Sequence, residues 1–221
     1  MHGSEGGSVG FNHIHCALFA AHGFAAMAQH YTENNEFMTS PDIHDVPLDC
    51  IEAALLSMKQ QMQPFGCGVG LFGVSRGAEL ALLLGQLLAE DGAEALPDAI
   101  AAHSVPEQIW GAYIVENYRK GDYDGGETRP AWSWRGSHER TLPGKLLQPE
   151  RYPNPVFIAH GMEDELWDVA AAKRLVARMQ EAGHPPEAHF FDYEGHTFGP
   201  GRNRELELLV DFFSRNLSSN Q

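Results

Sequence analysis

Three residues of the sequence have the types and the chain order that nucleophilic acyl transfer requires. Ser75 lies at the centre of Gly73-Val74-Ser75-Arg76-Gly77, a Gly-x-Ser-x-Gly pattern, and Asp164 and His196 follow it. In such a set the serine attacks a carbonyl carbon, the histidine takes the serine's proton, and the acid orients the histidine. The sequence therefore predicts Ser75, His196 and Asp164 as the catalytic residues of a hydrolytic site.

Two further features of this pattern concern the acid and the developing negative charge. Asp164 is flanked by Glu163 and Glu165, so the neighbouring acids stay open as alternatives. A turn that presents the serine also points the N–H of the next residue at the oxyanion. Arg76 is therefore predicted as an oxyanion-hole donor.

The segments around these residues alternate between strand-like and helix-like patterns, which is typical of a mainly parallel sheet flanked by helices. The predicted strands are 24–31, 69–75, 99–105, 155–160 and 188–193, and the predicted helices are 47–62, 78–88, 168–182 and 203–217. Ser75, Asp164 and His196 each follow a predicted strand. Active sites of open α/β sheets lie at these carboxyl ends. The sequence thus predicts one α/β domain over residues 1–221.

One long segment, 116–152, has no clear hydrophobic period and contains Trp132, Trp134 and Arg135. It carries seven of the fifteen basic residues of the chain. A loop of this length inside a compact domain is typical of a lid or a binding insertion. We therefore predict a lid here and assign Trp132, Trp134 and Arg135 to substrate binding, with a solvated surface excursion as the alternative.

The composition excludes several classes of function. Thirty acidic and fifteen basic residues give the 221-residue chain a formal charge of −15, which disfavours nucleic acid and anionic membrane surfaces. No apolar run reaches the length of about 18 residues that a membrane span requires. The start of the chain lacks the pattern of a signal peptide, and the three cysteines have no disulfide pattern, so a cytoplasmic protein is expected.

No cofactor or metal is expected. The segment 68–73 matches the dinucleotide pattern Gly-x-Gly-x-x-Gly, but its glycines lie on a predicted strand rather than after one. His13-Ile14-His15 and Cys16 have no second pair of ligands at a recognisable spacing. Both patterns are therefore interpreted as structural.

With these residues in view, the chain resembles the α/β-hydrolase superfamily over about residues 2–215. More narrowly, it is similar to the dienelactone hydrolase-like C-terminal catalytic domain shared by acyl-CoA thioesterases and bile acid-CoA:amino acid N-acyltransferases. The matching motifs are Gly3-Ser4-Glu5-Gly6-Gly7, Asp45-Val46-Pro47-Leu48, Gly73 to Leu80, Pro130 to Gly136, Glu163 to Trp167 and Gly195-His196. The resemblance implies Ser75 as nucleophile, His196 as general base and Asp164 as its orienting acid. The acyltransferases of the family use cysteine, so a serine favours hydrolysis.

The sequence departs from this family at its beginning. There is no room for the immunoglobulin-like N-terminal domain of the eukaryotic thioesterases, and none for the strand that should precede His2-Gly3. Three outcomes stay open: strands 24–31 and 69–75 pair directly, a neighbouring chain fills the gap, or the chain is a late-start version of a longer protein. Exposed strand edges favour pairing, so a homodimer is predicted. The second oxyanion donor is expected at the N–H of Ser4 or Glu5.

The predicted function is hydrolysis of a small-molecule acyl thioester, an acyl-CoA above all, through an acyl-enzyme. A carboxylesterase or dienelactone-type hydrolase acting on small esters is one alternative. A non-catalytic, hydrolase-like binding module is the other.

Overall fold

The structure, a computed structural model, describes residues 1–4, 6, 9–32, 42–119 and 128–218. Its helices are α1 Val9–Ala21, α2 Asp49–Met62, α3 Arg76–Asp91, α4 Val115–Arg119, α5 Val169–Glu181 and α6 Arg202–Leu217. Its strands are β1 Val46–Pro47, β2 Gly70–Val74, β3 Ala99–His103, β4 Trp132–Ser133, β5 Val156–Gly161 and β6 Glu187–Phe191. Short 3-10 helices span Gln63–Phe65 and Pro149–Arg151.

The central sheet has four parallel strands in the order β2-β3-β5-β6. Side chains alternate along each strand, so one face packs on α2, α3 and α5 and the other on α6. Ile100 and Ile158 belong to the first core, whereas Ala101 and Phe157 belong to the second. This arrangement confirms the predicted fold class, a mainly parallel sheet flanked by helices. No helix in the described ranges is long and apolar enough to cross a membrane.

The prediction of a strand at 24–31 is wrong. This segment follows α1 but belongs to no strand, and β2 is the edge of the central sheet. A cavity of about 370 Å³ is lined by residues 23–29 on one side and by 67–72 on the other, with α1, α2 and α6 around it. Because a strand needs a neighbour for its ladder, and β2 lies across this cavity, the two segments do not pair directly. The homodimer stays a prediction.

Two shorter corrections concern α1 and Pro47. The sequence did not predict α1, whose apolar and polar residues are poorly separated around the helix. Pro47, predicted in the first turn of a helix, instead pairs in β1 with Ser133 of β4, and α2 begins at Asp49. Residues 128–152 lie against α2 and α3: Arg135 N donates to Asp49 of α2, and Trp134 Nε1 donates to Asp91 of α3. Residues 120–127 of the predicted lid are outside the described residues.

Met1 to Gly3 lie beside β2 and the first turn of α3. The Met1 nitrogen donates to the carbonyl oxygen of Phe72 at 2.6 Å, and the Val74 N–H donates to Met1 O at 3.2 Å. These two bonds form one rung of a parallel ladder. The buried ring of His2 stacks on Tyr31, with ring centroids 4.1 Å apart, and Tyr31 Oη donates to His2 O at 2.7 Å.

Burial of the His2 ring lowers its pKa from 6.5 to about 4. The hydrogen bond between Nδ1 and Gly3 O acts in the opposite direction, and the positive charges of the Met1 α-amino group and of His30 add to the lowering. His2 is therefore neutral in the folded protein at neutral pH.

We expect the free energy of unfolding to fall as pH is lowered from 6.5 to about 4. In this interval the unfolded chain takes up a proton at His2 and the folded protein does not, so acid favours unfolding. A shift of this size corresponds to about 3 kcal/mol in total, and below pH 4 His2 contributes no further loss. Urea unfolding at several pH values should show this slope in the wild type and a shallower one in His2→Gln. The control His44→Gln, at an exposed position, should keep the wild-type slope; a His2→Gln slope equal to that of the wild type would contradict the assignment.

Candidate active site

Ser75 lies in a sharp turn between β2 and α3. Its backbone has φ 55° and ψ −121°, a strained conformation for a residue with a side chain. A Cβ at Gly73 would lie 2.0 Å from Gly77 O, so the strand and helix can approach this closely only because position 73 is glycine. The Ser75 N–H donates to His103 O at 2.8 Å, which fixes the turn to β3. This strand–turn–helix arrangement is that of a nucleophile elbow.

The three residues that the sequence singled out form one chain of hydrogen bonds. Ser75 Oγ donates to His196 Nε2 at 2.8 Å, and His196 Nδ1 donates to Asp164 Oδ2 at 2.9 Å. Ser75 and His196 are buried, with 7% and 6% of their surfaces exposed. Because the carboxylate holds the proton on Nδ1, the lone pair of Nε2 faces the serine hydroxyl. The arrangement can remove a proton from Ser75.

Asp164 is held in place by the loop after β5. Its Oδ1 accepts from Leu166 N at 2.9 Å and from Trp167 N at 2.8 Å. Burial alone would raise the pKa of Asp164, but the hydrogen bonds from His196 and from these two N–H groups outweigh it and lower the pKa below its ordinary value. The competing acids are placed differently: Glu165 Oε2 accepts from the His196 N–H at 3.0 Å, and the backbone N–H of Glu163 donates to Glu194 O.

Arg76 is the first residue of α3, so its backbone N–H has no carbonyl one turn earlier to bind. Its side chain is anchored behind the turn, donating to Gly111 O at 3.0 Å and pairing with Glu79 at 2.8 Å. Burial raises the pKa of Glu79, while Arg76 and the hydrogen bond from Trp132 act against this rise.

The other predicted oxyanion donor lies in the N-terminal segment. A Cβ at Gly77 would lie 2.4 Å from His2 O, so this segment lies directly against the first turn of α3, and Ser4 follows two residues later. Glu5 is outside the described residues. Arg76 and Ser4 stay predictions as oxyanion donors.

Two aromatic residues beside the hydrogen-bonded chain were not predicted as site residues. The Trp167 ring meets His196 edge-on with centroids 5.3 Å apart, and Trp110 stacks on Trp167 at 6.4 Å. Trp167 could have been found from its place three residues after Asp164. Trp110 has no sequence signal, because only the fold brings its loop to His196.

Of the residues assigned to substrate binding, Trp132 lies behind the elbow. It is fully buried, its Nε1 donates to Glu79 Oε1 at 2.7 Å, and its ring lies 5.1 Å from the Arg76 guanidinium carbon. These contacts support the residue that follows Ser75.

Trp134 and Arg135 lie farther from Ser75. Trp134 is buried and donates to Asp91 Oδ2 at 2.9 Å, at the end of α3. At a rise of about 1.5 Å per residue, this point is about 24 Å along the helix from Ser75. Arg135 pairs on the surface with Asp49 at 3.0 Å and with Glu52. The structure does not bring these two side chains to the triad residues.

Other basic side chains of this segment also have carboxylate partners. Arg140 pairs with Glu90 and Asp91, each at 2.6 Å, and Arg151 pairs with Glu90 at 2.5 Å. The charges of Arg140 and Arg151 are therefore balanced by acids of α3.

Several known proteins are similar to this chain in sequence. Residues 122–220 match the prolyl oligopeptidase family. The chain is 29% identical over 202 residues to acyl-coenzyme A thioesterase 6 of Mus musculus, covering 88% of this chain and 47% of the relative. The corresponding human protein is 26% identical over 208 residues, covering 88% and 48%. The chain thus spans about half the length of the curated relatives it matches.

Solved structures share the fold at low sequence identity. An α/β-hydrolase enzyme, MGS-M1, from a Medee basin deep-sea metagenome library is similar with a TM-score of 0.58 and 16% identity, covering 92% of this chain and 76% of the other. A monoacylglycerol lipase of Paleococcus ferrophilus has a TM-score of 0.58 and 13% identity, covering 98% and 93%. The parallel sheet, the strained turn at Ser75 and these likenesses show that the chain has the α/β-hydrolase fold.

Proposed function

We propose that this protein is a serine hydrolase that cleaves an acyl thioester, with Ser75 as nucleophile, His196 as general base and Asp164 as the acid that orients it. The observation that carries the proposal is the hydrogen-bonded chain from Ser75 Oγ through His196 to Asp164, with both distances below 3 Å. The strained turn holds the hydroxyl at the N-terminal end of α3, where the positive end of the helix dipole favours developing negative charge.

The reaction has two steps. His196 Nε2 takes the proton as Ser75 Oγ bonds to the acyl carbon, and the carbonyl electrons move to the oxygen, which the N–H groups of Arg76 and Ser4 stabilise. The carbon–sulfur bond then breaks, and the leaving thiolate takes the proton from His196. In the second step water attacks the acyl-enzyme, gives its proton to His196, and the carboxylic acid leaves as Ser75 recovers its proton.

The thioester assignment is supported by the resemblance to acyl-CoA thioesterases over most of the chain. One observation favours an oxyester hydrolase as the second candidate. Arg135, Arg140 and Arg151 are paired with carboxylates, so they offer little free positive charge to the phosphates of CoA, and the chain carries a net charge of −15. Both candidates use the same residues and differ only in the leaving group.

Two series of substrates with the same acyl groups, CoA thioesters and p-nitrophenyl esters, separate these candidates. We expect the wild type to hydrolyse acyl-CoAs, from acetyl to palmitoyl, with a kcat/KM at least equal to that for p-nitrophenyl esters of the same acyl groups. Free CoA should be measured by chromatography, because the exposed thiols of Cys50 and Cys67 would react with a thiol reagent.

Each other outcome assigns a different function. Hydrolysis of the p-nitrophenyl esters alone would assign an oxyester hydrolase. A folded protein that cleaves neither series and does not react with a fluorophosphonate would be a non-catalytic binding module.

A further inference from the structure

The main chain of His196 is held by three side chains from two other parts of the fold, the end of β3 and the loop after β5. Its N–H donates to Glu165 Oε2 at 3.0 Å. Its carbonyl oxygen accepts from Ser104 Oγ at 2.9 Å and from His103 Nε2 at 3.2 Å. Both backbone groups of this one residue are thus bound by side chains, two of which, His103 and Ser104, are buried, and the residue carries the proposed general base.

The ring of His103 is itself held by a contact with α6. His103 is the last residue of β3, is 1% exposed, and its Nδ1 lies 2.5 Å from Oε1 of Glu205, a buried residue in the first turn of α6. Arg202 donates to the other oxygen of Glu205 at 3.1 Å. A carbonyl oxygen can only accept, so the hydrogen of the His103–His196 bond is on Nε2. The ring therefore lies between the carboxyl group of Glu205, which Nδ1 faces, and the carbonyl oxygen of His196.

We propose that His103, oriented by Glu205, and Ser104 are positioning residues for the reaction assigned above, on which this inference rests. Their bonds fix the His196 main chain at the point from which its imidazole reaches both Ser75 and Asp164. The loop 194–201 that carries His196 contains three glycines, so it depends on such bonds for its place. Loss of positioning by about 1 Å reduces rates by about 100-fold.

The test variant replaces His103 without leaving the Glu205 carboxylate buried and unpaired. His103→Phe keeps an aromatic ring but removes the donor to His196, and Glu205→Met in the same protein removes the carboxylate that would otherwise be buried without its ring partner. We expect this double variant to lower kcat by about 10- to 100-fold with KM within a factor of two or so. The rate of Ser75 labelling by a fluorophosphonate should fall by the same factor. His103→Gln, whose amide can donate to His196 O, should recover most of the rate.

A matched control removes a buried hydrogen bond elsewhere. Tyr152 is 1% exposed and donates to Pro97 O at 2.7 Å near the N-terminal end of β3, at the other end of the sheet from His196. Tyr152→Phe should cost comparable stability and leave kcat unchanged. A double variant that is folded and keeps a kcat within twofold of wild type would overturn the inference.

A spectroscopic readout tests the inference without turnover. The downfield proton resonance of the His196 Nδ1–H···Asp164 bond should be present in the wild type and be lost or shifted in the double variant. A wild type that shows this resonance but neither hydrolyses substrate nor reacts with a fluorophosphonate would refute the proposed function. The resonance of the double variant would still test the positioning role. An unchanged resonance in the variant would refute the positioning role.

Discussion

Replacing Ser75 with alanine is expected to lower kcat for acyl hydrolysis by about 10⁴- to 10⁶-fold. The proposed mechanism forms a covalent bond to Ser75 Oγ, and alanine has no atom that could form it. Binding and oxyanion stabilisation persist, so a small residual rate above the uncatalysed reaction should be left. The measurement is CoA release under saturating substrate, together with fluorophosphonate labelling, which should disappear.

The control for this variant is Ser57→Ala. Ser57 is exposed on α2 and accepts a hydrogen bond only at the surface, from Gln61 at 3.1 Å, so its loss should leave kcat unchanged. Labelling that persists in Ser75→Ala, or a loss of rate below tenfold in a folded protein, would assign the nucleophile to another residue.

Asp164→Asn is expected to reduce kcat by about 10⁴-fold while the fold is retained. The N–H groups of Leu166 and Trp167 both point at Oδ1 of this side chain, so an asparagine must keep its carbonyl oxygen there. Its amide group then faces His196 Nδ1 and donates to it. His196 is left with its proton on Nε2, the tautomer that cannot accept the proton of Ser75.

The same substitution at Asp168 provides the control. Asp168 is exposed four residues later and caps α5 by accepting from Ala170 N at 2.9 Å. Asp168→Asn makes the same change of charge and keeps a capping oxygen, so kcat should change less than twofold. If Asp164→Asn retained more than a tenth of the wild-type kcat, the orienting role would belong elsewhere, with Glu165 as the next acid to replace.

The positions of Ser75, Asp164 and His196 could be read from the sequence because each is tied to a strand end. Glycines at 73 and 77 indicate a close strand–helix turn, which the distances at Gly73 and Gly77 explain physically. Asp164 and His196 follow β5 and β6 by a few residues, and parallel strands bring their carboxyl ends to one edge. The local sequence and the sheet topology therefore both place these three residues at one edge of the sheet.

The contacts of Trp132 could not be predicted in the same way. A tryptophan in a basic, irregular segment is compatible with a ligand pocket and with a core. The deciding partner, Glu79, is 53 residues away on a helix that is apolar almost all round. An acid among the apolar residues of such a helix needs buried donors. That signal indicates that an indole or a guanidinium contacts the acid, but it does not indicate which one.

Residues 24–31 show another limit. Their apolar composition favours a strand. Composition, however, indicates only that a segment is compatible with a buried, extended conformation. Whether a ladder forms depends on a second backbone at hydrogen-bonding distance. Here the segment borders the cavity beside β2 instead.

The rung between Met1 and β2 determines where a purification tag can be attached. Any residue joined ahead of Met1 continues from an atom that already donates to Phe72 O, beside the apolar cavity. A polyhistidine leader would carry polar side chains toward that cavity and compete with the contacts that hold His2 on Tyr31. The end of α6 borders the same cavity through Leu217 and Ser218, so a tag at either end should be removed by proteolysis before the enzyme assays.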